Sequence, residues 1–237
     1  MSKRALIVGI NYPGTDNELR GCVNDALAMQ KFLESKGYQC LMLLDAAATR
    51  VAILREFYEL ILSDSDVLYF HYSGHGGSVR DQSGDEEDGK DETLCPVDFQ
   101  EAGMIIDDEL RGLLTSLVDK QMTITLDCCH SGTGVDLSYN AIERLGRVSL
   151  EKGLRAVSLR GEVVCISGCK DAQTSADAQI AGTFQGALTN ALLPAMQSKS
   201  WADLWKSVNK TLRTSKYSQI SCLSAGSDLD LSARPWI

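Results

Sequence analysis

The chain has 237 residues, 44% of them hydrophobic, which is enough for one sizeable core and short of two large domains. A formal net charge of −9 argues against nucleic acid as a partner, since phosphate binding needs concentrated Lys and Arg, and points instead to a cationic ligand or substrate. No stretch approaches the ~20 apolar residues of a membrane span, and the N-terminal apolar run is too short for a signal peptide. The reading is a cytoplasmic protein with no membrane partner, whose eight cysteines stay reduced.

Apolar runs rich in Val, Ile and Leu recur at residues 5–10, 40–44, 67–72, 122–126, 163–167 and 219–224, and they predict strands. The first helix is predicted over 22–35, where Ala26, Met29, Phe32 and Leu33 share one face. Further helices are predicted over 49–62, 107–117, 183–196 and 201–214. Strands apolar on both sides and joined by crossover helices imply an α/β architecture: a mainly parallel six-stranded sheet with helices on both faces, in one domain. Ligands are expected at the carboxyl ends of such strands. Two segments break the alternation, an acidic one from Arg80 and a less regular one from Asp136 to Arg160.

Two strand ends carry chemistry. "HYSGHGG" overlaps the end of the third predicted strand, and "TITLDCCHSGTG" spans the fourth. A cysteine nucleophile needs a base or ion-pair partner and backbone N–H groups for an oxyanion. His71 lies inside a strand, and His130 points away from the adjacent Cys129 if the chain is extended. His75 sits among glycines just past the strand. Cys129 and His75 are therefore the dyad this sequence makes most directly, with the N–H groups of Gly76 and Cys129 as the oxyanion hole. Read from residues alone, a pair of ordinary buried thiols at Cys128 and Cys129 stays open as the alternative. A zinc site lacks the two-residue spacing and a second Cys/His pair.

"YSGHGG" followed downstream by "DCCHSG" resembles the histidine and cysteine motifs of metacaspases, a family of caspase-fold cysteine peptidases. The likeness extends to "ALIVGINYPGTDNELRGCVNDA", "GDEEDGKDETLCPVDF", "IIDDEL", "ISGCKDAQTSADA" and "GTFQGALTNALL", in the family's order over nearly the whole chain. The resemblance implies a caspase-like fold with a large-subunit-like region over 1–136, a connection over 137–160 and a small-subunit-like region over 161–237. It implies Cys129 as nucleophile and His75 as general acid/base. Asp25, Ser73 and Asp127 correspond to the primary specificity pocket, while Cys128 stands where most members have serine or another small residue. Two carboxylates in one partly buried pocket repel each other, and an Arg or Lys of a protein or peptide substrate relieves that cost. Cleavage after Arg or Lys, not Asp, is the expectation. A helix-entry role at the dipole is the structural alternative for Asp25.

Asp81, Asp85, Glu86, Glu87, Asp88, Asp91 and Glu92 crowd into the acidic segment, which does not match an EF-hand loop and taken alone reads as solvated. The resemblance implies a calcium site built from Asp91, Asp107, Asp108 and Asp136, an all-oxygen set that suits this cation. Capping of the following helix by Asp107 and Asp108 is compatible with it. Calcium is thus the expected cofactor, ordering the loop after Cys129. The resemblance also implies a monomer, a type I-like core without an N-terminal prodomain, and a link to programmed cell death. Self-processing is expected near Lys152 or Arg155, in a segment that also holds Arg144, Arg147 and Arg160. From another functional class, the alternative is a catalytically silent caspase-fold scaffold that binds basic partners.

Overall fold

A computed structural model of the protein describes residues 1–80, 90–128, 135–153, 159–168, 177–180, 183–215, 217 and 219–237, with backbone alone for 177–180 and 183–185. In chain order the strands are β1 (Lys3–Gly9), β2 (Gln39–Leu44), β3 (Val67–Ser73), β4 (Gly76–Arg80), β5 (Lys90–Leu94), β6 (Ile105–Ile106), β7 (Val118–Asp127), β8 (Tyr139–Arg144), β9 (Arg147–Lys152), β10 (Arg160–Ser167), β11 (Asp177–Ile180), β12 (Thr183–Gly186) and β13 (Cys222–Ala225). The helices are α1 (Cys22–Ser35), α2 (Arg50–Leu62), α3 (Phe99–Ala102), α4 (Asp107–Leu114), α5 (Ala187–Ala195) and α6 (Trp201–Thr214).

The six expected strands lie side by side in one sheet of order β2-β1-β3-β7-β10-β13-β8-β9. Its first five members are parallel, and β13, β8 and β9 are antiparallel. Period-2 alternation sends each strand into two separate cores. Leu6, Val8, Leu68, Phe70 and Tyr72 face one core, with Ile53 and Phe57 of α2 and Leu110 and Leu114 of α4. Ala5, Ile7, Val67 and Tyr69 face the other, with Met29 and Leu33 of α1 and the apolar sides of α5 and α6. Gly9 lets α1 close onto the end of β1, since a Cβ there would sit 2.7 Å from the Cβ of Ala26.

The two extra strands come from the segment expected to be a plain connection. β8 and β9 form a hairpin whose two-residue turn, Leu145-Gly146, has φ of 50° and 76°. Both values are positive, as the primed hairpin turn requires, yet Leu is a poor residue for the first position, so the turn carries a weak sequence signal. Tyr139, Ala141, Val148 and Leu150 pack against the second core and hold the hairpin to the sheet. Arg144 and Arg147 are consequently paired in a ladder, Lys152 ends it, and Arg155 lies outside the described residues. The predicted helix 183–196 also begins later, at Ala187, because residues 183–186 pair with β11.

Candidate active site

The parallel register brings Gly9, Ser73 and Asp127 level at the carboxyl ends of β1, β3 and β7. His75 follows two residues after β3. Its backbone is fixed on both sides: the N–H donates to the Tyr12 hydroxyl at 3.0 Å, and the carbonyl accepts from Tyr72 Oη at 2.8 Å and from the Cys95 N–H at 3.1 Å. Tyr12 Oη donates to the Cys95 carbonyl at 2.6 Å, and its ring lies 4.8 Å from the imidazole. Burial pushes both tyrosine hydroxyls up from their usual range, so they remain protonated donors.

The imidazole Nε2 lies 2.7 Å from the carbonyl oxygen of Asn17. A carbonyl only accepts, so Nε2 carries the proton and the lone pair of the neutral ring is left on Nδ1. Tyr12 and Asn17 belong to one loop, which Asn11 anchors at both ends. Its N–H donates to Asp45 at 2.6 Å, its carbonyl accepts the Leu19 N–H at 2.7 Å, and its side chain accepts the Val23 N–H in the first turn of α1. Tyr12 holds a φ of 51°, a left-handed conformation uncommon for a bulky residue and retained here where the ring meets His75. His71 is a core residue, with Nδ1 2.8 Å from Thr125 Oγ1 and a pKa lowered to about 3 by burial.

Asp25, Ser73 and Asp127 come together as expected. Ser73 Oγ donates to Asp25 Oδ2 at 2.8 Å, and the Gly186 N–H lies 3.0 and 2.9 Å from the two Asp25 oxygens. Asp127 Oδ2 accepts from both the N–H and the hydroxyl of Thr189, each at 2.8 Å. Asp25 is 0% and Asp127 3% exposed. The two carboxylates close around one glycine: a Cβ on Gly186 would lie 2.2 Å from Asp127 Oδ2 and 2.7 Å from Asp25 Oδ2. Gly186 and Thr189 were not expected from the sequence. Their main signal is position, at the N-cap and third residue of α5, where N–H groups need acceptors.

Cys128 is 1% exposed and joins Met122, Ile124 and Leu126 in the first core, on the opposite side of β7 from Asp127. For Cys128 the ordinary buried thiol is thus the right description. Cys129 and His130 lie outside the described residues. Gly76, expected to supply an oxyanion donor, begins β4 opposite Leu94 in a small sheet of order β4-β5-β6.

That small sheet carries an acidic cluster. One carboxylate oxygen each of Glu92, Asp107 and Asp136 lie within 4.8 Å of one another, and all three residues are buried. Burial, then Asp136, then Glu92 push the Asp107 carboxyl up to about 9. Arg111 approaches Asp136 at 3.8 Å but pairs closely with Asp108. Of the four expected ligands, Asp107 and Asp136 meet, Glu92 joins them unexpectedly, Asp108 faces Arg111, and Asp91 is buried one position earlier on β5. Asp136 has φ of 48°, a conformation Asp tolerates better than most residues. The helix-capping role falls largely to Glu109, which accepts the Ile106 N–H at 3.2 Å. Asp81, Asp85, Glu86, Glu87 and Asp88 lie outside the described residues.

The family model described as "Metacaspase, peptidase C14 domain" matches residues 3–138, more than half of the chain. The chain belongs to the metacaspase family. Metacaspase-1 of Mycosarcoma maydis is 34% identical over 97% of this chain and 71% of its own length. Metacaspase-1 of Schizosaccharomyces pombe is 32% identical, with 97% and 68% covered. Metacaspase-1 of Cryptococcus neoformans is 34% identical, and the chain spans 63% of it. A crystal structure of a Geobacter sulfurreducens protein matches with a TM-score of 0.74 at 28% identity, covering 100% of this chain and 98% of that one. This metacaspase is accordingly a cysteine-type peptidase acting on proteins or peptides. No helix among the described residues is long and apolar enough to cross a membrane.

Proposed function

We propose that this metacaspase is a calcium-activated cysteine endopeptidase that cleaves after Arg or Lys through Cys129 and His75. The observation that carries this reading is the buried pairing of Asp25 with Asp127 at the strand ends next to His75. Two concentrated acids attract a guanidinium or ammonium group and repel the carboxylate that caspases select.

In the cycle, the Cys129 thiol gives its proton to Nδ1 of His75 and the thiolate attacks the carbonyl carbon after the basic residue. The Gly76 and Cys129 N–H groups hold the oxyanion, and His75 passes the proton to the leaving amine as the C–N bond breaks. Water, deprotonated by His75, then hydrolyses the thioester to a carboxylic acid and restores the thiol. The Asn17 carbonyl keeps the Nε2 proton in place throughout, so that Nδ1 does the exchange. Peptides ending in Arg, Lys or Asp, assayed with calcium and with chelator, test the reading. Hydrolysis of the Arg and Lys peptides in calcium alone is expected. Preference for Asp overturns the pocket, chelator-insensitive turnover overturns the activation, and no turnover of any peptide favours the scaffold. Self-processing near Lys152 or Arg155 is part of this reading, and the ladder that pairs Arg144 with Arg147 also pairs Lys152 with Tyr139, which favours Arg155. An uncut mass for the same calcium-treated, active sample would remove that step.

Glu92, Asp107 and Asp136 fit a hard cation, since they bring three buried carboxylate oxygens within 4.8 Å of one another. Asp91 and Asp108 are candidates for further oxygens. Bound calcium would supply positive charge to these carboxylates in place of a proton on Asp107. Folded Asp107 keeps its proton up to about pH 9, whereas unfolded it loses it near ~4. Between those values the unfolded state binds fewer protons, so stability falls as pH rises. The calcium-free protein is therefore expected to lose Tm from about pH 5 to about pH 9, with Asp107→Asn flattening the decline. The Tm gain from calcium should grow over the same range, because the proton no longer competes. A calcium shift that shrinks with pH in scanning fluorimetry would contradict this assignment.

A further inference from the structure

The acids of the pocket lie in the large-subunit-like region, but among the described residues three of the donors that hold them come from the cap and first turn of α5. Gly186, the N-cap of α5, gives its N–H to Asp25, and Thr189, three residues on, gives both its N–H and its hydroxyl to Asp127. Among the described residues each carboxylate has a hydroxyl donor, Ser73 for Asp25 and Thr189 for Asp127, and an N–H from the positive end of the same helix. The arrangement answers a physical problem. Two carboxylates around one glycine repel each other and would otherwise share a proton, and a half-neutralised pair selects a cation poorly. The α5 N–H groups come with any helix of that placement. The Thr189 hydroxyl depends on the residue type, and its side chain is fully inside, at 1% exposure.

We propose that Thr189 is a specificity-positioning residue, holding Asp127 in the orientation from which it attracts the basic side chain of the substrate. The assignment rests on reading Asp25 and Asp127 as the basic-residue pocket. Thr189 touches Asp127 and acts through it, so it changes how tightly the basic residue is bound, with no part in bond breaking. Gly186 is the steric counterpart, because any side chain there would enter the space of both acids.

The test uses the full chain in calcium with matched peptides ending in Arg and in citrulline, its neutral isostere, and Tm measured in parallel. Thr189→Val keeps the shape and the N–H and removes the hydroxyl; Thr189→Ala removes it with less bulk; Thr189→Ser retains it. Loss of one hydrogen bond to a charged group is expected to raise KM for the Arg peptide about tenfold in the first two variants, with kcat within about twofold. The Arg-over-citrulline preference should fall by the same factor, and Thr189→Ser should recover most of it. A Thr189→Val or Thr189→Ala enzyme with unchanged KM and preference overturns the assignment, as does Thr189→Ser losing as much as they do. A wild type that turns over both peptides equally overturns the pocket reading itself, and is distinguishable because the defect is then present before any substitution.

Discussion

Cys129→Ser is expected to lower hydrolysis of an Arg-ending peptide by about 10^4-fold, while Cys128→Ser keeps kcat within about threefold. The two residues are adjacent and chemically identical, so the difference must come from where the chain points them. Along β7, Met122, Ile124, Leu126 and Cys128 enter the first core, whereas Asp127 is held on the other side by α5. Position 129 lies outside the described residues, and its role as the nucleophile is the one proposed above. A serine at 129 is a far weaker nucleophile toward the substrate carbonyl with a neutral imidazole as base, because its hydroxyl ionises far less readily than a thiol. A serine at 128 has a different cost: a hydroxyl replaces a thiol among Leu126, Val135 and Leu137. That costs about 1–3 kcal/mol where no partner is found, and it appears in Tm, not in turnover. Active-site titration with denaturation curves separates the two effects. Near-normal turnover by Cys129→Ser, or a folded but dead Cys128→Ser, would transfer the nucleophile to the other cysteine.

The frame of this site was legible in the sequence because it depends on periodicity. Ala26, Met29 and Leu33 at helical spacing mark α1, which runs over Cys22–Ser35 as predicted, and the β-branched runs mark the parallel strands. Asp25, Ser73 and Asp127 were legible through their motifs, and the register of β3 on β7 accounts for two of them meeting. Two of the groups that stayed hidden are main-chain atoms, which residue type does not announce. Asn17 contributes a carbonyl, and Gly186 a backbone N–H. Glu92 was hidden for another reason. Asp91 and Glu92 are consecutive acids on a strand, and which one turns toward Asp107 and Asp136 is decided by the pairing of β5 with β4, across an acidic segment without apolar alternation. The β8–β9 hairpin was missed because Leu145-Gly146 is not a residue pair that announces a turn.

The second large effect is expected at Asp25. Asp25→Asn should lower kcat/KM for an Arg peptide by about 10^2- to 10^3-fold and nearly abolish its preference over citrulline. The substitution preserves size, so the loss follows from charge and hydrogen-bond polarity. Asp25 accepts from Ser73 Oγ at one oxygen and from the Gly186 N–H at both. An amide has only one oxygen, and its NH2 group would face a donor whichever way it turned. Either the Gly186 N–H or the Ser73 hydroxyl is then left with a poorer acceptor, and the start of α5 is loosened at the residue next to Asp127. Asp25 and Asp127 are therefore coupled through α5, and their effects should not add. The double variant Asp25→Asn, Asp127→Asn is expected to lose less than the product of the single losses, since the first substitution already spoils the hold on the second acid. Because both carboxylates are buried, the losses should change little between low and moderate salt, unlike those of surface charges. An Asp25→Asn enzyme that still prefers Arg over citrulline by the wild-type factor would make Asp25 a structural support of α5 and leave Asp127 as the acid that recognises the substrate.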